Sequence, residues 1–158
     1  MYDSGDANGL LYYVMPFVEG ISLRHRLTAQ PRLTVDEVRK IAREVADALS
    51  YAASHGIVHR DVKPENILLA GYSPGETRAS WNTLLADFGI AAPTFTRGDH
   101  FTGTGIVVGS PQYMSPEQAV GDRVDQRTDI WSLGCVVYEM LEGAPPRGVP
   151  SFKTAGAV

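Results

Sequence analysis

The sequence is poor in cysteine and in lysine. Cys135 is the single cysteine among 158 residues, so an intrachain disulfide is impossible and a reducing compartment is the natural setting. We therefore expect an intracellular protein, located in the cytoplasm. Lysine occurs only at Lys40, Lys63 and Lys153, so the first 39 positions contain none.

Long apolar runs and a strong charge of one sign are also missing. The longest apolar run, residues 10–18, is nine residues long, whereas a membrane-spanning helix needs ~20. No basic residue precedes Arg24, so we do not expect residues 1–23 to act as a secretory signal. The net charge of −4 comes without a basic cluster, which argues against a nucleic-acid partner.

The first third of the chain predicts one strand and two helices. Residues 10–18 are rich in aromatic and β-branched side chains, which favours a buried strand with Pro16 at its end. Ser22 is placed to cap a short helix over residues 22–27. Thr34 and Glu37 match a capping box at the start of a long amphipathic helix over residues 34–56.

The rest of the chain predicts short strands, long loops and one more helix, so the fold class is α+β. Strands are expected at residues 56–58, 67–69 and 83–86, with a surface turn over 70–82 and a Gly/Thr-rich loop over 93–109. A helix is expected over residues 128–142, ended by Gly143. Its predicted inward-facing side chains are Ile130, Leu133, Val137, Met140 and Leu141.

Polar side chains gather in the loops between the short apolar runs. Asp61 and Asn66 lie in one such loop, and Asp87 follows the next apolar run. Their oxygens are the hard donors that Mg²⁺ prefers, and Lys63 adds a positive charge suited to a phosphate oxygen. Taken together, these residues predict phosphoryl transfer, which depends on positioning and charge stabilisation.

Several motifs resemble those of one enzyme family. HRDVKPEN at residues 59–66, DFG at 87–89 and SPE at 115–117 occur in the order found in eukaryotic-type (Hanks-type) protein kinases. Residues 109–119 are similar to the substrate-facing loop of bacterial serine/threonine kinases, and residues 128–134 are similar to the start of the central buried helix. The resemblance implies a kinase-like fold, consisting mainly of the helical large lobe plus a hinge strand, with ATP and Mg²⁺ as cofactors.

The resemblance also implies roles for individual residues. Asp61 would orient the hydroxyl of a protein substrate, Lys63 would meet the transferred phosphoryl group, and Asn66 and Asp87 would bind Mg²⁺. Lysine two residues after the catalytic aspartate, together with Ser110 in the substrate loop, resembles the serine/threonine kinases. The expected acceptor is therefore Ser or Thr.

On the nucleotide side, the strand at residues 10–20 resembles the hinge of the family. Met15 would be the gatekeeper beside the adenine, and the Pro16 carbonyl and the Val18 backbone would hydrogen-bond its edge. Leu68 would cover the adenine from below.

Regulation and packing are implied for further positions. Arg60 precedes the catalytic aspartate, as in kinases activated by phosphorylation within the activation segment, here residues 87–117. Thr102 and Thr104 are the expected phosphorylation sites, since a phosphate would pair with Arg60. Glu117 would pair with an arginine from a later helix.

His59 and Phe88 would pack together, and Asp129 would hold the backbone of the catalytic loop, which is the family's name for the segment that residues 59–66 resemble. Two plainer interpretations stand beside these roles. Asp and Asn in loops are often ordinary turn residues, and a carboxylate in the first turn of a helix is a routine favourable feature.

The family also has parts with no counterpart in these residues. A kinase domain begins with a glycine-rich loop and a strand lysine on the ATP phosphates, whereas Lys40 lies within a predicted helix. We therefore expect a domain truncated at both ends, whose isolated segment has little activity. A noncatalytic, pseudokinase-like fragment or interaction module is the alternative.

Overall fold

The chain forms two small antiparallel sheets and a group of helices. The computed structural model describes residues 3–7, 10–73, 81–88 and 111–146. Among the helices in these ranges, none combines the length and apolar character needed to cross a bilayer. The α+β class expected from the sequence is confirmed.

A hairpin opens the chain. Strands β1 (Asp3–Ala7) and β2 (Leu10–Val14) pair antiparallel, with Asp3 opposite Val14. The strand expected over residues 10–18 is therefore shorter, because it ends two residues before Pro16, which cannot donate to a ladder. β1 was not predicted, since its polar sequence has no apolar alternation.

The second sheet has three strands and lies next to the catalytic loop. Strand β4 (Ile67–Ala70) is central, between β3 (Gly20–Ser22) and β5 (Asn82–Leu85). Gly20 has φ of 137°, and a Cβ there would lie 2.1 Å from the carbonyl oxygen of Leu69. Only glycine allows β3 to approach β4 this closely.

The two helices that follow β3 start where the capping signals predict. Ser22 caps α1 (Leu23–Ala29) by accepting a hydrogen bond from the amide of His25. Thr34 and Glu37 form the expected capping box at the start of α2 (Val35–Ser54). Both predictions are confirmed.

One predicted strand is wrong. Residues 56–58 form no strand, because the amide of Ile57 donates to the carbonyl of Ala52 and closes the end of α2. Directly after this segment, the amides of His59 and Arg60 donate to a carboxylate of another helix instead of to a neighbouring strand.

The last two helices are α3 (Pro116–Val120) and α4 (Gln126–Glu142). Gly143 ends α4 in the left-handed conformation, as predicted. The predicted inward set is wrong at Ile130 and Leu141, which are 57% and 41% exposed. The buried face of α4 instead includes polar side chains that hydrogen-bond to the catalytic loop and to the segment before α3, which an apolar pattern does not reveal.

The core lies between α2 and α4 and extends under the second sheet. Trp81 belongs to this core at 6% exposure, although the sequence suggested a surface turn over residues 70–82. Its neighbours are Tyr72, with ring centroids 6.2 Å apart, and the Lys40 ammonium 4.8 Å from its ring. The expectation that Cys135 is a small core residue is confirmed.

Candidate active site

Asp129, in the first turn of α4, holds the backbone of the catalytic loop. Its two carboxylate oxygens accept hydrogen bonds from the amides of His59, at 2.8 Å, and Arg60, at 2.7 Å. Asp129 is 3% exposed. The cap of α4 is Asp125, while Asp129 lies in the first turn. The loop-holding contact is confirmed, and the favourable position of a carboxylate in the first turn holds beside it.

Arg60 has a left-handed backbone, with φ of 69°. That conformation is rare for a residue other than glycine, asparagine or aspartate, and it persists where the surroundings impose it. Here Asp129 accepts from its amide, and the Gln118 side chain donates to its carbonyl at 2.8 Å. Both ends of the residue are therefore fixed by side chains from other elements.

His59 joins the catalytic loop to the residues before Asp87. Its Nε2 donates to the carbonyl of Ala86 at 2.9 Å, and its Nδ1 accepts from the amide of Asp61 at 3.2 Å. A carbonyl can only accept and an amide can only donate, so the ring is the neutral Nε2–H tautomer. Its ring also packs against Phe88 with centroids 4.5 Å apart, and the expected pairing of these two residues is confirmed.

Asp61, Lys63 and Asn66 form one cluster. The Lys63 ammonium lies 2.7 Å from Asp61 Oδ2, and the Asn66 amide donates to the same oxygen at 2.9 Å and to the Asp61 carbonyl at 2.8 Å. The Asp61 side chain is 46% exposed. A fixed carboxylate thus faces solvent beside a positive charge, an arrangement suited to a substrate hydroxyl and a phosphate.

A backbone hydrogen bond places Asp87 next to this cluster. The amide of Ala86 donates to the carbonyl of Asn66 at 2.8 Å, so the residue that follows it starts beside the catalytic loop. Asp87 is exposed, and its φ of 60° makes it the second left-handed residue other than glycine in the described part of the chain. Within that part no three His, Cys, Asp or Glu side chains come together as a metal cluster.

The start of α3 is tied to α4 and to the catalytic loop. The Ser115 hydroxyl lies 3.1 Å from that of Thr128, which donates to Glu117 Oε1 at 2.5 Å. This bond lowers the pKa of the Glu117 carboxyl. Gln118, which bonds Arg60, was missed, although Ser115 and Gln118 match a capping-box pattern that the sequence displays.

Four further predicted site residues belong to the nucleotide side. Met15 and Pro16 are exposed and Val18 is half-buried. Leu68 is half-buried in β4, opposite Ser22 and Leu84. The remaining ones, Thr102, Thr104 and Ser110, lie outside the described residues, as does the loop over 93–109.

Comparison with known proteins identifies the family. A family model described as "Protein kinase domain" matches residues 1–154. The chain belongs to the protein kinase family. It is 40% identical over 150 residues to "Serine/threonine-protein kinase PknB" of Mycobacterium tuberculosis (strain ATCC 25177 / H37Ra), and 41% identical over 150 residues to the protein of that name in Mycolicibacterium smegmatis (strain ATCC 700084 / mc(2)155).

These matches cover 92% of this kinase chain but 23% of each of those two relatives. The chain thus spans less than a quarter of their length. Among solved structures, the PknI kinase domain of Mycobacterium tuberculosis matches with a TM-score of 0.69 and 32% identity, over 92% of this chain and 50% of that one. The kinase fold expected from the motifs is confirmed.

Proposed function

We propose that this chain carries the catalytic loop of a serine/threonine protein kinase, which transfers the γ-phosphoryl group of ATP to a protein hydroxyl. The observation that supports this most strongly is the Asp61 carboxylate, held by Lys63 and Asn66 and open to solvent. The similarity to proteins named serine/threonine-protein kinase supports the reaction class.

Asp61 orients the acceptor hydroxyl by accepting its hydrogen bond. The hydroxyl oxygen forms a bond to the γ-phosphorus, the bond from that phosphorus to the leaving oxygen breaks, and ADP departs. The hydroxyl proton leaves by way of the Asp61 carboxylate. The Lys63 ammonium lies 2.7 Å from Asp61, so a phosphoryl group that meets the acceptor hydroxyl at Asp61 comes close to a positive charge that offsets its own.

The donor set fits Mg²⁺. Asn66 uses its amide nitrogen for both bonds to Asp61, so its amide oxygen remains for a cation, and the exposed Asp87 supplies a carboxylate. Oxygen ligands of this type, together with substrate phosphates, are those that Mg²⁺ takes. When bound, the ion neutralises charge on the phosphates.

The nucleotide base is assigned to the segment after β2. Met15 would lie beside the adenine, the Pro16 carbonyl and the Val18 backbone would bond its edge, and Leu68 would cover one face. The exposure of Met15, 54%, leaves its side chain available for such contact.

The acceptor is a serine or threonine of a protein, and Ser110 and Glu117 belong to the loop that receives it. Lysine two residues after Asp61 supports this acceptor class, together with the names of the relatives.

The cellular location that we propose is the bacterial cytoplasm, since all the curated relatives cited above are bacterial and the chain has a single cysteine.

Phosphorylation of Thr102 or Thr104 activates the enzyme by pairing with Arg60. A phosphate adds about −1.5 to −2 charge, which an arginine beside the catalytic aspartate would bind. We expect phosphopeptide mapping of active protein to find at least one of the two threonines modified. An active preparation with neither modified would remove this part of the proposal.

The test of the catalytic assignment is a transfer assay on the protein expressed from its natural gene. Asp61→Asn should reduce transfer from ATP at least ~100-fold, because it removes the carboxylate that orients the hydroxyl. Asp47→Asn is the matched control, since Asp47 is exposed on α2, and it should leave the rate unchanged. Transfer that survives Asp61→Asn would contradict the assignment, and no transfer at all would favour a noncatalytic module.

A further inference from the structure

The Gln118 side chain connects the start of α3 to the catalytic loop. Its Oε1 accepts a hydrogen bond from the amide of Ser115 at 3.1 Å, and its Nε2 donates to the carbonyl of Arg60 at 2.8 Å. A backbone amide can only donate and a backbone carbonyl can only accept, so the two partners determine which end of the side chain is oxygen and which is nitrogen. Glutamine therefore serves as an acceptor in the capping box of α3 and as a donor to the loop.

The Arg60 carbonyl belongs to the peptide unit that precedes Asp61. This unit is planar, and side chains bond both of its polar groups. Gln118 donates to its oxygen, and its N–H, which is the amide of Asp61, donates to His59 Nδ1 at 3.2 Å. A rotation of the unit would break both bonds, so together they hold the main chain in the left-handed conformation that Arg60 has.

The other end of this connection is fixed by α4. Ser115 is fully buried, its hydroxyl accepts from the amide of Gln118 at 3.3 Å, and the same hydroxyl lies 3.1 Å from that of Thr128. The bond from Gln118 to Arg60 is itself partly buried, which strengthens it relative to a bond in water. The helix α4 therefore holds the loop twice, directly through Asp129 and indirectly through Ser115 and Gln118.

We propose that Gln118 is a positioning residue for Asp61: by donating to the Arg60 carbonyl, it fixes the main chain directly before the carboxylate that meets the acceptor hydroxyl. Lys63 and Asn66 hold this carboxylate from the following part of the chain, and Gln118 supplies the restraint from the preceding part. The proposal rests on the proposed function, because Asp61 must orient a hydroxyl for its position to matter. A misplacement of about 1 Å can lower a rate on the order of 100-fold.

Gln118→Glu, made in the protein expressed from its natural gene, separates the two roles of this side chain. A glutamate at this position still accepts from the Ser115 amide, and it forms a capping box equally well, so α3 keeps its cap. The variant loses the donor to Arg60 and puts a carboxylate against a carbonyl oxygen. At about pH 8 we expect kcat to fall about tenfold, the effect of one lost hydrogen bond, while the KM for ATP stays unchanged.

The pH profile of this variant supplies a readout that a capping role alone would not move. The carbonyl oxygen of Arg60 favours the protonated form of the new carboxyl, and a protonated carboxyl can donate to that oxygen again. The rate relative to wild type should therefore recover as the pH falls from about 8 to about 5.5. The wild type shares the charged groups of the elements packed here, so the ratio of rates reports the new carboxyl; these groups are Arg60, Asp61, Glu117 and Asp129.

Two further variants serve as controls. Gln118→Met has no donor at any pH, so it should show the loss of kcat without the recovery. Gln126→Glu is the matched change, since Gln126 is exposed in the first turn of α4, and it should keep the wild-type rate at every pH. A wild-type kcat in both Gln118 variants, a ratio for Gln118→Glu that does not change with pH, or an equal loss in Gln126→Glu overturns the role of Gln118.

Hydrogen exchange separates this proposal from the proposed function. The amide of Asp61 should exchange faster in Gln118→Met than in the wild type, because the peptide unit loses one of its two bonds, and Gln126→Glu should not change it. If the wild type transfers no phosphate, the proposed function fails and exchange alone decides. Acceleration confined to Gln118→Met supports the restraint on the main chain, and equal exchange in all three proteins overturns it.

Discussion

At the scale of single residues, the site depends on side chains that fix the backbone. Arg60 and Asp87 both have positive φ, 69° and 60°, on either side of the catalytic cluster. Each conformation costs of order 1–3 kcal/mol and needs compensation from its surroundings. For Arg60 the compensation is visible in the bonds that Asp129 and Gln118 make to its amide and carbonyl.

Replacing Asp129 tests this compensation. Asp129→Ala removes the acceptor of two loop amides, so we expect the free energy of unfolding to fall by about 3 kcal/mol, together with a loss of transfer activity. Urea unfolding measures the first effect. Asp125→Ala, which removes the exposed cap of the same helix, should cost less and leave transfer intact. Equal losses in both variants would show that Asp129 has no special role.

Some residues of the candidate site can be predicted from the sequence and others cannot. Asp61, Lys63, Asn66 and Asp87 are found by their motifs, because the chemistry needs these residue types at short spacings. Gln118 and Arg60 are 58 positions apart in the chain, so the bond between them cannot be predicted from local spacing. Long-range contacts of this kind depend on the packing of whole helices.

At the scale of elements, capping determines where the helices begin. The capping box of Thr34 and Glu37 can be predicted from the sequence because both partners belong to one turn. The buried face of α4 cannot be predicted from apolar periodicity, because Ser132 and Glu139 are buried and Ile130 is exposed. Strands β1 and β3 form because they pair with β2 and β4, and their own composition does not predict them.

Glu37 makes the stability of α2 depend on pH. Burial alone would raise the pKa of this carboxyl, but the hydrogen bonds from Thr34 and the charge of Arg26 lower it below the ordinary value of a glutamate. A lowered pKa in the folded state means that the stabilisation is present above the unfolded pKa and is lost as the pH falls through the folded one.

We therefore expect Glu37→Gln to flatten the acid side of the stability curve. Glutamine can also form a capping box, so the variant keeps the cap and loses the titration. Thermal unfolding of both proteins between about pH 3 and pH 7 measures the difference. A variant whose melting temperature falls as steeply in acid as that of the wild type would contradict the contribution of Glu37.

At the scale of the whole molecule, the described residues are organised around α4. This helix holds the catalytic loop through Asp129, the start of α3 through Thr128, and Arg24 of α1 through Glu139. The chain matches a kinase family model over residues 1–154 and covers 50% of a solved kinase domain. In the proposed reaction, α4 therefore supports the loop that carries Asp61.

The most direct measurement of the central claim is to follow the γ-phosphate of isotopically labelled ATP into protein and to identify the modified amino acid. The assay uses the protein expressed from its natural gene, with Mg²⁺, beside its Asp61→Asn variant. We predict label on serine or threonine that disappears in the variant. Label found only on tyrosine, or label that persists in the Asp61→Asn protein, would contradict this account.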